Sequence, residues 1–324
     1  MGIAALSIAG CSTAETTSAD PGEGSIVHDT APAPSLANNI VGDPAERELI
    51  VYLPPSYETS PEQRYPVVYF LAGSDTSVGM LAAYREGLWT EMQQGDANEF
   101  IIVEVDGLSE IGNNFYANSP VAGNAEDAVT RDVVSHVDET YRTIADASSR
   151  GLSGFSMGGS GTINAGLANA DVYSALFAFS PGLFAENTGL AAMLSTEGAW
   201  PAYGAAFSPD PTAPSPHMAA IDPSVPLSDQ DPALVAAWES GYGDVRTKVA
   251  DYLAQPDRLA IRISYGTADY YPWIPEGSAF FLDVLEENGV AATSHVFDGG
   301  HDLDAATFTQ DFVSYFSQNL AGDS

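Results

Sequence analysis

The sequence is poor in positive charge. Its 324 residues include 10 lysines and arginines against 44 aspartates and glutamates, which gives a formal net charge of −34. Lys248 is the only lysine. So acidic a chain would be repelled by nucleic acids and by anionic membrane surfaces, because these carry charge of the same sign. We therefore expect no nucleic-acid partner, whereas the charge says nothing about a reaction.

The sequence has a single cysteine, Cys11, so no disulfide can form within the chain. Cys11 follows a short apolar segment that ends in Ile8-Ala9-Gly10, and small residues directly before a cysteine resemble the lipobox of bacterial lipoproteins. The segment is too short to cross a bilayer, and it lacks the positively charged start of a signal peptide. We predict a lipoprotein-type signal over residues 1–11, lipidation of Cys11, and export to the bacterial cell surface or the periplasmic face of the membrane. The alternative is a free cysteine in a disordered tail.

Large apolar residues are scarce in the segment that follows. Residues 12–36 are rich in Ser, Thr, Ala, Pro and Gly. Such a composition is typical of flexible linkers, because it offers little apolar surface to bury. We predict a flexible tether over residues 12–36 and a folded domain over residues 37–324.

Beyond the tether, apolar runs typical of buried strands alternate with segments of helical periodicity. Strands are predicted at residues 47–53, 65–71, 100–105, 175–179, 259–264 and 292–297, and helices at 81–94, 126–141, 278–288 and 305–320. This alternation predicts an α/β fold with a mostly parallel central sheet flanked by helices.

The alternation breaks between residues 184 and 257, where Pro, Ala, Asp and Ser dominate and helices are expected only at 232–240 and 245–254. We interpret this segment as a Pro-rich, lid-like insert that forms a lid or wall over a pocket. The alternative is a surface elaboration whose aromatic residues anchor its loops.

The most informative motif is Gly154-x-Ser156-x-Gly158, which lies between a short strand and a helix rich in small residues. This is the pattern of a nucleophile elbow, in which a serine occupies a turn so tight that only glycine fits two residues before and after it. The turn lifts the Ser156 hydroxyl above the end of the sheet, and it directs the N–H of Met157 towards a developing oxyanion.

A serine hydroxyl needs a base, and the base needs a carboxylate to orient it. Strand 259–264 is followed by Asp269, and strand 292–297 is followed by Asp298-Gly-Gly-His301, which matches the order Ser, Asp, His of enzymes with a nucleophile elbow. The two glycines are expected to allow a sharp turn that aims the imidazole of His301 inward. Glu276 and Asp244 are alternative acids.

A second oxyanion donor is expected in the loop after strand 65–71, which reads Leu71-Ala72-Gly73-Ser74. The backbone N–H of Ser74 would then act together with that of Met157. The alternative is a plain turn that ends the strand.

Two further segments lead up to the elbow and complete a recognisable pattern: Phe115-Tyr-Ala-Asn-Ser-Pro-Val-Ala-Gly-Asn-Ala-Glu-Asp127 and Tyr141-Arg-Thr143. Together with the elbow they resemble the esterase-D-type "putative esterase" family of α/β-hydrolases, and the resemblance covers residues 48–320. That family includes feruloyl and acetylxylan esterases, S-formylglutathione hydrolases and mycolyltransferases. The resemblance implies an α/β-hydrolase fold and a serine esterase with the triad Ser156, Asp269 and His301, without metal or cofactor. The sequence departs from the family at Ala72, where the oxyanion loop usually carries histidine.

These observations favour a serine carboxylesterase that acts on a small-molecule ester with a short acyl, aryl or carbohydrate group. An acyltransferase with the same residues, a serine peptidase and a non-catalytic surface binding protein are the alternatives. The aromatic residues expected near the mouth of the pocket are Phe115, Tyr116, Tyr270, Tyr271 and Trp273.

Overall fold

We describe a computed structural model that covers residues 15–16, 23–94 and 97–322. Its main sheet has nine strands, β1 to β9 in chain order. Their bounds are Glu15–Thr16, Ser25–Pro32, Glu46–Leu53, Val67–Leu71, Ile101–Val105, Arg150–Phe155, Ala175–Phe179, Ala260–Gly266 and Ala292–Phe297. In space the order is β1-β2-β3-β5-β4-β6-β7-β8-β9. The pairs from β5 to β9 are parallel, and β1, β2 and β3 add antiparallel strands at one side. The predicted α/β fold with a mostly parallel sheet is confirmed.

Helices cover both faces of this sheet. Helix α1 spans Arg85–Gln93, and α2 is the continuous helical segment formed by Ala125–Asp127, a π-helical stretch Ala128–Val133 and Val134–Thr140. The others, α3 to α9, span Met157–Ala168, Gly189–Glu197, Pro201–Phe207, Pro232–Tyr242, Val245–Ala254, Trp273–Glu287 and Phe308–Asn319. Among the residues that the structure covers, no helix is long and apolar enough to cross a bilayer.

Two apolar layers fill the space between the sheet and the helices. Alternate residues of β4 point to opposite faces, so Tyr69 belongs to the layer under α2, α3 and α8, whereas Phe70 belongs to the layer under α1 and α9. Both residues are fully buried. A strand enclosed on both faces reads as a continuous apolar run, which is why β4, β5 and β7 could be predicted within two residues of their ends.

The prediction of a tether over residues 12–36 is wrong for its second half. All eight residues of β2 pair with β3, from Ser25 opposite Leu53 to Pro32 opposite Glu46. The folded region therefore begins at least 37 − 25 = 12 residues before the predicted boundary. The small size of the inward-facing residues, such as the buried Ala31, hid this strand from a search for large apolar residues. Cys11 and the predicted signal segment lie outside the described residues.

The insert between β7 and β8 contains four helices, α4 to α7, of which α4 and α5 were not predicted. Its aromatic residues pack on the main body: the ring of Phe115 lies 4.9 Å from that of Trp200 and 5.3 Å from that of Tyr203. Tyr203 and Trp238 are fully buried. These contacts anchor the insert to the main body, as the alternative interpretation expects, and a role of the insert as a lid or wall over a pocket stays a prediction.

Helix α8 starts at Trp273, five residues before the predicted start at 278. The predicted helix starts after Pro275, whereas the observed helix includes it. A proline is tolerated in the first turn, because the N–H groups there have no acceptor within the helix.

Candidate active site

Ser156 lies on the strained turn between β6 and α3. Its backbone has φ = 56° and ψ = −115°, a conformation that an L-residue adopts only when its surroundings impose it. A Cβ at Gly154 would collide with the carbonyl of Gly158, and a Cβ at Gly158 would collide with the carbonyl of Leu71. Glycine is therefore required at both positions, as the nucleophile-elbow motif predicts.

The side chains of Ser156, His301 and Asp269 form an unbroken chain of hydrogen bonds. The Oγ of Ser156 lies 2.8 Å from the Nε2 of His301, and the Nδ1 of His301 lies 2.7 Å from the Oδ2 of Asp269. The side chains of His301 and Asp269 are only 7% and 0% exposed. A proton on Nδ1, donated to the carboxylate, leaves Nε2 free to accept from the serine hydroxyl. The alternative acids Glu276 and Asp244 make no hydrogen bond to His301.

The loops after β8 and β9 are joined by their backbones, which brings the acid and the base together. The N–H of Ala268 donates to the carbonyl of Gly299 at 2.9 Å, next to Asp269 on one loop and close to His301 on the other. A Cβ at Gly266 would collide with the carbonyls of this second loop. Neither Gly299 nor Gly300 has a positive φ. The predicted turn before His301 therefore does not depend on a positive φ at either glycine, and the close approach of the two loops requires glycine at position 266.

The loop after β4 passes directly beside the elbow. A Cβ at Gly73 would lie 3.8 Å from the Cβ of Ser156. Met157 is the first residue of α3, so its N–H has no acceptor within the helix. Within the part of the chain that the structure covers, the N–H groups of Met157 and Ser74 donate to no protein acceptor. Both predicted oxyanion donors therefore have no competing acceptor among the described residues.

Three of the five aromatic residues expected near the mouth of the pocket are buried in the core. Phe115, Tyr116 and Trp273 are 2%, 1% and 3% exposed, so they present almost no surface to a ligand. Phe115 is enclosed by the aromatic residues of the insert. This corrects the prediction for all three.

Tyr270, by contrast, is 65% exposed, and its ring centroid lies 5.5 Å from that of His301. The ring of Tyr271 lies beside both, with its centroid 4.1 Å from that of Tyr270 and 5.0 Å from that of His301. Burial raises the pKa of Tyr271, so its hydroxyl stays neutral. Tyr270 and Tyr271 thus form an aromatic surface next to the imidazole.

Two residues near the site were missed by the sequence analysis. Asn113 and Glu104 are buried, and both bind backbone N–H groups of the segment 75–81 that follows the expected oxyanion loop. No local signal marks them, because their partners lie at least 23 residues away along the chain. Burial raises the pKa of the Glu104 carboxyl, and the hydrogen bonds from these N–H groups make the rise smaller because they stabilise the carboxylate.

A cavity of about 950 Å³ lies within the insert, away from Ser156 and His301. Its wall includes Leu190, Val235, Glu239 and Arg246. The hydrogen-bonded chain, not this cavity, is where nucleophilic chemistry can occur. Among the residues described, no group of His, Cys, Asp and Glu is arranged to hold a metal ion.

Comparisons with known proteins identify the family and the fold of the chain. A family model described as "Putative esterase" matches residues 44–318. A ferulic acid esterase of known structure is 22% identical, covers 92% of this chain and 96% of its own, and has a TM-score of 0.61. An S-formylglutathione hydrolase from Agrobacterium tumefaciens is 17% identical over 95% of this chain and 99% of its own, with a TM-score of 0.64. A fluorophosphonate-binding serine hydrolase of Staphylococcus aureus is 15% identical over 93% of this chain and 100% of its own, with a TM-score of 0.60.

These similarities assign the α/β-hydrolase fold, and the family match covers most of the chain. The chain belongs to the "Putative esterase" family and is a carboxylic ester hydrolase.

Proposed function

We propose that the protein is a serine carboxylesterase in which Ser156, His301 and Asp269 act as the catalytic triad. The observation that carries the proposal is the hydrogen-bonded chain that begins at the strained elbow, with distances of 2.8 and 2.7 Å. Three residues from three different loops converge with the correct connectivity, which a chance arrangement of polar side chains would not give.

The reaction follows from these positions. The Oγ of Ser156 attacks the ester carbonyl while the Nε2 of His301 accepts its proton, and the negative charge that develops on the carbonyl oxygen is bound by the N–H groups of Met157 and Ser74. Collapse breaks the bond to the alcohol, which takes the proton from His301 and leaves an acyl group on Ser156. Water then attacks the acyl group, with His301 again as base, and releases the acid and the free serine.

The aromatic surface of Tyr270 and Tyr271 favours an ester with a ring in its alcohol part. His301 protonates the departing alcohol, so this alcohol must lie beside the imidazole, where Tyr270 is exposed. A tyrosine face can stack on an aromatic ring or on the apolar face of a sugar.

The first test is hydrolysis of p-nitrophenyl acetate, butyrate and octanoate, with labelling by a fluorophosphonate probe. We expect the wild type to turn over at least the short esters and to be labelled, and Ser156→Ala to lose both properties. Ser195→Ala, which changes an exposed serine of α4, is the matched control and should behave as wild type. Turnover or labelling that survives in Ser156→Ala would overturn the assignment. A folded wild type that does neither would favour a non-catalytic binding protein.

The substrate class has a separate test. Tyr270→Ala should raise KM for phenyl acetate roughly fivefold, because a stacking contact contributes about 1 kcal/mol, and should leave ethyl acetate unaffected. Val296→Ala removes another exposed apolar side chain, at 47% exposure, and serves as the control. Equal effects on both esters would argue against a ring-binding surface. Product analysis with added alcohol or sugar acceptors distinguishes hydrolysis from acyl transfer.

We also propose, from the sequence alone, that the protein is exported and anchored through a lipid on Cys11. Cys11→Ser should then release the protein from the membrane fraction of the producing cells. Mass spectrometry that finds an unmodified Met1 on the native protein would contradict this proposal.

A further inference from the structure

The loop that carries Ser74 is held by a reciprocal pair of hydrogen bonds. The N–H of Asp75 donates to the Oδ1 of Asn113 at 2.9 Å, and the Nδ2 of Asn113 donates to the Oδ1 of Asp75 at 3.1 Å. Asn113 is buried, and Asp75 has a positive φ of 55°. The pair therefore stabilises a backbone conformation that aspartate alone would rarely adopt.

The other side of Ser74 is held by Tyr116. Its hydroxyl donates to the carbonyls of Ala72 and Val105, both at 3.1 Å, and ties the end of β4 to the end of β5. The hydroxyl is buried, so removing it would leave these two carbonyls without this donor in a dry environment.

Tyr116 also packs on the helix that begins with Met157, the other expected oxyanion donor. The Oη of Tyr116 and the Cε of Met157 both approach the position that a Cβ at Gly107 would occupy, and the ring of Tyr116 packs on Gly161 of α3. One side chain thus touches the loop that contains Ser74 and the helix that begins with Met157.

We propose that Asn113 and Tyr116 are positioning residues that fix the direction and spacing of the Ser74 and Met157 N–H groups, a role that rests on the proposed function. Ser74 lies between Ala72 and Asp75, and each of these neighbours is held by one of the two side chains. Because a donor binds an oxyanion well only when its N–H points at the oxygen, a loosened loop lowers kcat without weakening binding of the substrate ground state.

The main test compares kcat and KM for p-nitrophenyl acetate in Tyr116→Phe and Asn113→Ala. Complete loss of one oxyanion donor costs roughly 100- to 1000-fold in kcat in serine hydrolases, so a misaligned donor should cost roughly 10- to 100-fold, with KM within about twofold. Affinity for a trifluoromethyl ketone, which forms the tetrahedral adduct, should fall by the same factor as kcat. A merely structural role would lower the amount of folded enzyme but would not couple these two quantities.

Tyr173→Phe is the matched control for Tyr116→Phe. Tyr173 is equally buried on the same face of the sheet, and its hydroxyl has no hydrogen-bond partner among the described residues. We expect unchanged kcat and inhibitor affinity. A loss as large as that of Tyr116→Phe would overturn the proposal, because it would show a general effect of changing the core.

An exchange of side chains tests the pair around Asp75. Asn113→Asp alone places two carboxylates side by side and should lower kcat at least tenfold at pH 8. Combining it with Asp75→Asn exchanges the amide and the carboxylate, which restores both hydrogen bonds and should recover most of kcat. Absence of recovery in a folded double variant, or normal kcat in Asn113→Asp, would overturn the role of the pair.

These outcomes are separable from failure of the proposed function. If Ser156→Ala is inactive and the Asn113 and Tyr116 variants keep wild-type kcat, the triad stands and the positioning role is wrong. If Ser156→Ala stays active, the oxyanion assignment has lost its basis and both ideas fail.

Discussion

Replacing Asp269 by asparagine should nearly abolish catalysis, and the hydrogen bonds of this residue explain why. The Oδ1 of Asp269 accepts the backbone N–H of Tyr271 at 2.9 Å, and its Oδ2 accepts the Nδ1–H of His301 at 2.7 Å. Both oxygens are therefore acceptors, whereas asparagine has one acceptor and one donor group. Because a backbone N–H can only donate, the amide oxygen of the variant must face Tyr271 and the amide NH2 must face His301.

This orientation forces the wrong tautomer on the base. An NH2 group that faces Nδ1 requires Nδ1 to be the acceptor, so the proton of the neutral imidazole moves to Nε2, 2.8 Å from the Oγ of Ser156. The imidazole can then no longer accept the serine proton. In a serine protease the corresponding change lowers kcat by roughly 10⁴-fold, equivalent to about 5 kcal/mol at about 1.4 kcal/mol per factor of ten.

The assay is steady-state hydrolysis of p-nitrophenyl acetate, with circular dichroism to establish that the variant is folded. We expect kcat to fall about 10⁴-fold while KM changes little, because Asp269 is enclosed and does not touch the substrate. Asp298→Asn is the control, since Asp298 is exposed just before the loop of His301. Activity of folded Asp269→Asn within about tenfold of the wild type would refute the tautomer argument.

Three further predictions concern stability. Gly158→Ala should destabilise the fold by about 3 kcal/mol, the upper range for overpacking, because the new Cβ collides with the carbonyl of Leu71. Burial and the charge of Asp244 raise the pKa of Glu239 from 4.5 to about 7, so the folded state binds this proton more tightly and its stability falls as pH rises from about 4.5 to about 7. Glu239→Gln removes the cost of ionising this buried carboxyl and should therefore raise Tm at pH 7.5 but not at pH 4. The gain in stability should be clearly smaller than the pKa shift implies, because the side chain is partly exposed. A chain that begins at residue 37 loses β2 and exposes the edge of β3, so we expect a much lower Tm and aggregation relative to one that begins at residue 23.

Each of these has its own control and contrary result. Gly322→Ala, where a Cβ meets only ordinary contacts, should keep the wild-type urea midpoint, and equal loss in both glycine variants would contradict the collision argument. For Glu239→Gln, a Tm gain of the same size at both pH values would mean that ionisation is not its cause. An unchanged Tm for the shorter chain would mean that β2 contributes little to stability.

The residues expected to perform the chemistry could be found from the sequence, because few residue types can fill each role and each must directly follow a predicted strand. A nucleophilic serine between glycines, an acid after one strand and a histidine after the next leave few alternatives in a chain with 5 histidines. Since the carboxyl ends of parallel strands meet at one edge of the sheet, the order of the strands was enough to bring Ser156, Asp269 and His301 together.

Strand β2 could not be found by the same reasoning. A strand that pairs on the antiparallel side of the sheet can face the core with small residues, and Ala31 is fully buried although it contributes little hydrophobicity. Composition alone classed this segment with flexible linkers. Strand β2 is held by backbone hydrogen bonds to β3, and its own sequence gives no sign that a partner strand lies beside it.

The residues that support the site were hidden for a related reason. Phe115 and Tyr116 both have positive φ, at 53° and 50°, a conformation that is uncommon for aromatic residues and that the sequence does not signal. The hydroxyl of Tyr116 is buried and donates to the carbonyl of Ala72, whereas the side chain of Tyr270 is exposed. Burial of an aromatic residue in a loop depends on the packing of distant segments. The flanking glycines could therefore distinguish Ser156 from other serines, but residue type alone could not distinguish Tyr116 from Tyr270.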